Sequence, residues 1–220
     1  RTLLDVPFAG AYVVLCGVAL LGMVLMAGIQ FPAASPSTSP NAAGRPLALI
    51  VRQPVFLVAC LSDALGYGLM NLLMAATPLA MQQCGLSFDD AAIVLEWHVI
   101  GMFAPGFFTG NLIKRFGTLT VMGAGVVLNL ACIAIALSGL DLHHFTVALF
   151  LLGVGWNFLF TGSTTLSLDA YRPEEKDRAQ AAINFFVFAV MAVSSFASGA
   201  LVTTQGWALL NWGSLVPVAL

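Results

Sequence analysis

Residues 181–203 read AAINFFVFAVMAVSSFASGALVT. This stretch contains no charged residue, and it is long enough to cross the hydrocarbon of a bilayer as an α-helix, which takes about 20 apolar residues. Apolar and polar residues do not alternate along it, so the pattern is not that of a strand in a membrane barrel. The sequence therefore predicts a transmembrane helix here.

The composition of the whole chain agrees with this interpretation. Of its 220 residues, 60% are hydrophobic and only 8% are charged, whereas soluble domains carry roughly 25% charged residues. A soluble enzyme would lack the polar side chains that cover a surface in water. Eight Lys and Arg against ten Asp and Glu leave no basic face for nucleic acid. The predicted fold class is an all-α, polytopic bundle of helices in a lipid bilayer.

Six further charge-poor stretches predict membrane helices. They are residues 8–30, 54–82, 91–113, 118–138, 145–168 and 206–220. The last stretch is too short for a full crossing. Because residue 1 is Arg rather than Met and the chain ends inside an apolar run, we expect a fragment whose last helix is truncated.

Residues 31–53 differ in character from the helices on either side. Four prolines and three serines interrupt the apolar pattern, and proline cannot continue a helix. We expect a flexible linker, with one helix before it and six after it.

The basic residues predict the orientation. Seven of the eight lie in loops on one side of the predicted bundle: Arg45, Arg52, Lys114, Arg115, Arg172, Lys176 and Arg178. The loops on the other side carry Asp89, Asp90 and Asp141 without any Lys or Arg. Because Lys and Arg accumulate in cytoplasmic loops, we assign the basic side to the cytoplasm and expect a multi-pass protein of the bacterial inner membrane.

Residues 110–117 read GNLIKRFG and follow the third predicted helix. They resemble a cytoplasmic signature of the major facilitator superfamily, roughly Gly-x-Leu-x-Asp-Arg-x-Gly-Arg. Gly110, Leu112, Arg115 and Gly117 match, while Lys114 stands in place of the acid. Residues 171–178, which include Arg178, resemble the loop before the eleventh helix of that family.

The resemblance implies the domain organisation and a function. Residues 1–30 would be the last helix of a preceding half, 31–53 the cytoplasmic linker, and 54–220 the second six-helix half, whose partner is the missing N-terminal half. The implied activity is secondary active transport of a small organic solute by alternating access. Coupling to protons is expected because the chain offers Asp63 and Glu96 but no nucleotide-binding motif. A non-transport membrane subunit or scaffold is the alternative.

The signature implies a cytoplasmic gating motif of Gly110, Arg115, Gly117 and Arg178. Gly110 and Gly117 are expected to allow close approach and reversal of the third and fourth helices. For Arg115, plain anchoring on the positive side of the membrane is the alternative. Asp169, at the end of the fifth helix, is expected to pair with Arg172 or Arg178.

Polar residues inside the predicted helices are candidates for a substrate and proton pathway, because a charge in hydrocarbon is costly. Asp63, Tyr67 and Asn71 share one helical stripe at i, i+4 and i+8. The stripe either faces a cavity or forms an interhelical hydrogen-bond clamp. Glu96 and His98 suit proton relay, or they reach the outer headgroups. Their spacing points them in different directions unless Pro105 and Gly106 kink the helix.

Three uncharged or aromatic residues complete the predicted pathway. Trp156 and Asn157 would suit an organic ligand that contains a ring, and Asn184 lies on the sixth helix. Packing between helices is the alternative role for the amides. The sequence predicts no catalytic residues, no metal site and no cofactor, so we do not expect an enzyme.

Overall fold

The computed structural model describes residues 9–29 and 44–219, and it is built from α-helices. The helices, in chain order, are α1 (Ala9–Ala27), α2 (Leu47–Val51), α3 (Pro54–Gln83), α4 (Phe88–Phe103), α5 (Gly106–Phe116), α6 (Thr118–Ser138), α7 (Leu142–Ser167), α8 (Lys176–Thr204), α9 (Gly206–Gly213) and α10 (Leu215–Ala219). A 3-10 turn at Pro173–Glu175 precedes α8. The predicted linker residues 31–43 lie outside the described residues.

The chain divides into two units, residues 1–42 and 43–220. The first contains α1, an uncharged apolar helix of 19 residues. Within the described residues, five helices are long and apolar enough to cross a membrane, and the bent pair α4 and α5 makes a sixth candidate. The predicted all-α polytopic fold is confirmed. The outer boundaries of the predicted helices agree with the observed ones to within five residues, although the stretches 91–113 and 206–220 are each divided into two helices.

The third predicted helix is broken where the sequence places Pro105. The axes of α4 and α5 differ by 41°, because Pro105 has no backbone N–H to continue the ladder. The structure therefore contains the kink that the sequence left open at Pro105 and Gly106. The chain then reverses at Gly117, whose φ of +86° is readily adopted only by glycine.

The core of the second unit is centred on α7, which packs against α3, α4 and α6. At the crossing with α4, a Cβ on Gly153 would lie 2.5 Å from the carbonyl oxygen of His98. At the crossing with α6, a Cβ on Gly125 would lie 2.8 Å from the carbonyl oxygen of Gly155. These glycines are close-approach positions, and so are Gly101 and Gly155 on the same two crossings. Gly110 is not, since a Cβ there would meet no atom of the described residues within 4 Å, and its predicted packing role is corrected accordingly.

The end of the predicted linker is not a free coil. Residues 47–51 form α2, and Ile50 is fully buried in a cluster with Phe56, Ala170 and Ile183. The expectation of flexibility is therefore wrong for residues 44–53, because an apolar side chain and the polar contacts described below anchor them.

The ion pair near the α7–α8 turn also differs from the one expected, which was between Asp169 and Arg172 or Arg178. Among the residues that the structure describes, Asp169 pairs with neither Arg172 nor Arg178. The acid that is paired is Glu175, and its partner is Arg45.

Candidate functional site

A polar cavity that contains Asp63 lies between α3, α7 and α8. Its volume is about 170 Å³, and it is lined by Ala59, Asp63, Phe160, Ser163, Thr164, Ser167, Gln180, Ile183 and Asn184. Asp63 is only 7% exposed, and its Oδ1 has no hydrogen-bond partner among the described residues. The structure thus brings Asp63 and Asn184 to one cavity. The polar lining groups are three hydroxyls, two amides and a single carboxyl, the other three lining residues are apolar, and none of the nine is Lys or Arg.

Asn71, two turns further along α3, makes a different kind of contact. Its Nδ2 donates to Ser194 Oγ at 2.9 Å and to Ser195 Oγ at 2.8 Å. Both serines belong to α8, so Asn71 joins α3 to α8. For this residue the structure shows the interhelical clamp, which the sequence left open as the alternative.

Tyr67, the middle residue of the stripe, belongs to an aromatic cluster that we define as Tyr67, Phe103, Trp156 and Phe160. The rings of Trp156 and Phe160 are stacked with centroids 5.0 Å apart. Tyr67 meets both edge-on, at 5.1 Å and 5.7 Å, and Phe103 lies 6.3 Å from Trp156. The Trp156 indole is buried, whereas Phe103 is 64% exposed. Phe160 also lines the Asp63 cavity, so the aromatic cluster and the cavity share this residue.

Asn157 holds the broken helix rather than facing the cavity. Its Nδ2 donates to the Met102 carbonyl at 2.8 Å, and its Oδ1 accepts from the Thr109 hydroxyl at 2.7 Å. Met102 and Thr109 stand on opposite sides of the bend, in α4 and α5. Asn157 therefore fixes the angle of the bend, and it supports the packing role that was the alternative for this residue.

Glu96 and His98 lie in different surroundings, as their spacing predicts. Glu96 is exposed, while His98 is fully buried, and its Nδ1 lies 2.7 Å from the Leu149 carbonyl oxygen. A carbonyl oxygen only accepts, so Nδ1 carries the proton. The bend at Pro105 does not bring the two side chains to one site, and His98 serves the packing of α4 on α7.

The residues of the predicted gating motif lie at the basic end of the bundle, defined as the end that holds the α5–α6 and α7–α8 turns. Gly117 makes the reversal, and Arg115 lies over the ring of Phe116, with Cζ 5.2 Å from its centroid. Arg178 is exposed at the start of α8. Neither arginine has an ion-pair partner within the described part of the chain, so their gating role stays a prediction.

Sequence reasoning missed Ser163, Ser167 and Gln180 as lining residues of the cavity. The signal that could have found the two serines is their i, i+4 spacing on α7, which places them on one face. Gln180 offered no such signal, because it follows a run of charged residues and has the character of a loop. Across residues 9–29 and 44–219 there is no group of three His, Cys, Asp or Glu side chains placed to hold a metal ion.

Comparison with known proteins identifies relatives of the chain. The sequence model of the Major Facilitator Superfamily matches residues 61–220. The riboflavin transporter RfnT of Brucella anthropi is 40% identical over 214 residues, which are 96% of this chain and 53% of that protein. The uncharacterized MFS-type transporter YddS of Bacillus subtilis is 29% identical over 145 residues, which are 65% of this chain and 33% of that protein. Another uncharacterized MFS-type transporter of Bacillus subtilis, YdeG, is 31% identical over 134 residues, which are 60% of this chain and 30% of that protein.

The chain thus spans about half the length of the riboflavin transporter and about a third of each of the other two relatives. These matches support membrane transport of a small molecule. They point to a transporter rather than an enzyme, and they do not favour the non-transport subunit. With the apolar helices, they make the chain an integral, multi-pass membrane protein.

Proposed function

The chain belongs to the Major Facilitator Superfamily, and we propose that it supplies the second half of a proton-coupled secondary transporter that moves a flavin by alternating access. The observation that carries the proposal is Asp63, a buried carboxyl group with an unpartnered oxygen in a polar cavity. In this proposal α1 ends the first half, and that half completes the pathway. The location proposed for the complete protein is the bacterial inner membrane.

Asp63 suits proton coupling because its surroundings change the cost of its charge. No Lys or Arg lines the cavity, so an ionised carboxylate there is stabilised only by water and by the hydroxyl and amide groups. A cavity closed to water favours the neutral acid, and a cavity open to water favours the carboxylate. A carboxyl group that alternates between these two states carries one proton across per cycle.

The proposed substrate follows from the riboflavin transporter that is 40% identical to the chain. Riboflavin combines a planar aromatic ring system with a chain of hydroxyl groups. The aromatic cluster offers ring faces and edges, of which Phe103, Tyr67 and Phe160 are at least partly exposed. The Asp63 cavity offers side chains that donate and accept hydrogen bonds, and Phe160 borders both regions. We place the ring system at the aromatic cluster and the hydroxyl chain toward the cavity.

The test is uptake of riboflavin into vesicles that contain the complete transporter. Asp63→Asn keeps the size and most of the hydrogen bonding of the side chain but removes its titration. We expect it to abolish accumulation driven by a pH gradient while riboflavin binding, followed by fluorescence quenching, is retained. The matched control is Asp89→Asn, which neutralises an exposed carboxylate at the start of α4 and should accumulate riboflavin as the wild type does.

Two outcomes would contradict parts of the proposal. Wild-type accumulation by Asp63→Asn would remove Asp63 from the coupling step and leave it a structural role. Absence of riboflavin binding by the wild-type protein would remove the flavin as substrate. The second result leaves the coupling role of Asp63 open to the same test with another organic solute.

A further inference from the structure

The contact between the predicted linker and the turn before α8 is built around one fully buried carboxylate, Glu175. Its Oε1 accepts from the backbone N–H of Arg45 at 2.7 Å and from Arg45 Nε at 2.9 Å. Its Oε2 accepts from Arg45 Nη2 at 2.7 Å and from the backbone N–H of Arg172 at 3.0 Å. Arg45 and Glu175 are 130 positions apart in the chain. The paired geometry of guanidinium and carboxylate is among the strongest hydrogen-bonded arrangements in proteins.

The backbone of the linker fits closely around this carboxylate. Gly44 has a φ of +59°, and a Cβ built on it would lie 2.7 Å from Glu175 Cγ. Arg45 Nη2 also donates to the Ala170 carbonyl at 3.1 Å, and Gln53 Nε2 donates to the same oxygen at 2.8 Å. We call Gly44, Arg45, Ala170 and Glu175 the linker clasp. The chain is thus held by polar contacts at Arg45 and at Gln53. Ile50 of α2, which lies between them in the sequence, is buried.

The charge pattern of the turn singles out Glu175. Its neighbours Glu174, Lys176, Asp177 and Arg178 are all exposed, whereas Glu175 is buried. A buried charge persists only where it is paired and hydrogen-bonded. The hydrogen bonds from Arg45 hold the pKa of the Glu175 carboxyl well below its usual range. The pair therefore stays ionised at physiological pH, and the clasp remains closed under those conditions.

The clasp lies next to the polar cavity along α8. Gln180 and Asn184, which line the cavity, follow Glu175 by five and nine residues. At 1.5 Å of rise per residue, these separations are about 8 Å and about 13 Å along the helix. Whatever fixes the start of α8 therefore also fixes where these two amides stand relative to Asp63.

We propose that the linker clasp fastens the end of the linker to the start of α8, so that the two form one body, and that it thereby positions Gln180 and Asn184 opposite Asp63. Arg45 and Glu175 are positioning residues in this scheme, and they touch neither substrate nor proton. The role of the two amides in transport rests on the proposed function, whereas the clasp itself does not. In this proposal the linker does more than connect the two halves, because its end is fixed to the helix that forms part of the cavity wall.

The first test is amide hydrogen exchange in the complete protein, followed by mass spectrometry and independent of transport. Glu175→Gln removes the charge that holds Arg45, and the matched control Glu174→Gln changes the exposed neighbour. We expect exchange of residues 44–53 and 176–184 to become about tenfold faster in Glu175→Gln, because these segments open locally. The control should exchange as the wild type does. Wild-type exchange in Glu175→Gln would overturn the clasp.

A covalent substitute for the ion pair keeps the test decisive if Glu175→Gln fails to fold. Gly44→Cys with Glu175→Cys, in a background without the four native cysteines, places two thiols where Gly44 faces the Glu175 side chain. The oxidised protein should recover wild-type exchange in residues 176–184, and the reduced protein should not. Gly44→Cys is strained at the positive φ of this position in both redox forms, so the comparison is between them: equal exchange in the oxidised and the reduced protein would show that tying the linker to α8 does not order its start, and it would overturn the proposal.

A third test distinguishes positioning of the cavity wall from general stabilisation of the protein. It measures how fast cysteines introduced into α8 react with a maleimide. Asn184→Cys reports the surroundings of the cavity wall, and Thr203→Cys reports the far end of the same helix. In the presence of Glu175→Gln we expect the maleimide labelling rate to change at least threefold at position 184 and to stay constant at position 203, since local opening is confined to one end of α8. Equal changes at both positions, or no change at 184, would overturn the positioning role. None of these readouts depends on a flavin or on a proton gradient.

Discussion

The crossing of α4 and α7 allows a quantitative prediction for Gly153→Ala. The added methyl group would lie 2.5 Å from the His98 carbonyl oxygen, 2.8 Å from the Met102 nitrogen and 3.0 Å from the Gly101 carbonyl carbon. All three are backbone atoms, so no side-chain rotation relieves the contact. Ordinary contacts of this kind are about 3.5 Å, and the two helices must therefore separate by several tenths of an ångström to about 1 Å.

The cost of this separation follows from the packing around the crossing. Overpacking a well-filled interior costs about 1–3 kcal/mol, and here the shift also strains the bond from Asn157 to the Met102 carbonyl, which is 2.8 Å long. The higher helix propensity of alanine offsets about 1 kcal/mol of this cost, so with about 2–4 °C of melting temperature per kcal/mol we expect Gly153→Ala to lower the melting temperature by about 3 °C. The assay is thermal unfolding of the complete protein in detergent, followed by size-exclusion chromatography of the remaining folded fraction.

Gly123→Ala is the matched control, because it adds the same methyl group to α6 where no atom of the described residues lies within 4 Å. Alanine is the better helix former by about 1 kcal/mol, so the control should unfold at the wild-type temperature or above it. The reasoning is refuted if the two variants unfold within about 1 °C of each other. In that case the backbone contacts at Gly153 do not limit how closely the helices approach.

Three further outcomes are expected. Cysteine introduced at Asn111 should be labelled only from the cytoplasm and at Asp141 only from outside, and reversed labelling would invert the proposed orientation. Asn71→Ala should lower the unfolding free energy by about 1–2 kcal/mol, because α3 loses its bonds to α8, and an unchanged melting temperature would contradict this. The pKa of Glu175 is depressed in the folded protein, so its stabilisation is present above the ordinary Glu pKa and is lost only as the pH falls through the depressed value. Exchange protection of residues 44–53 should accordingly persist below about pH 4.3, and loss of protection at or above that pH would contradict it.

The sequence predicted the helices well because their ends are marked by chemistry that acts locally. Charges end the apolar stretches, and Pro105 and Gly117 impose the bend and the reversal through their own backbones. Close approach of two helices depends on residues of both. Local sequence signals therefore could not predict which glycines lie at the helix crossings. Gly110 carries the signature, yet Gly101 and Gly153 make the contact, because only the packed structure decides which glycines face each other.

The candidate site was predicted in part for the same reason. Asp63, Tyr67 and Asn71 are the stripe that the sequence predicts on α3, but in the structure each of them meets a different neighbour. Asp63 faces the polar cavity, Tyr67 enters the aromatic cluster, and Asn71 binds α8. A helical period states which side chains share a face. It does not show which neighbouring helix packs against each residue along that face. The neighbouring helix determines whether a polar residue faces a cavity, an aromatic cluster or a hydrogen-bond partner.

The linker clasp bears on the orientation that the basic residues predict. The count treats Arg45 as a free positive charge, although Glu175 neutralises it in the structure. Removing Arg45 from the count leaves six basic residues on the same side and none in the opposite loops, and acidic residues contribute little to the rule. The contact adds evidence of another kind, since residues 44–53 and the α7–α8 turn can meet only on one side of the membrane. Two of the loops that the count groups together are therefore grouped by geometry as well, and labelling at Asn111 and Asp141 decides which compartment they face.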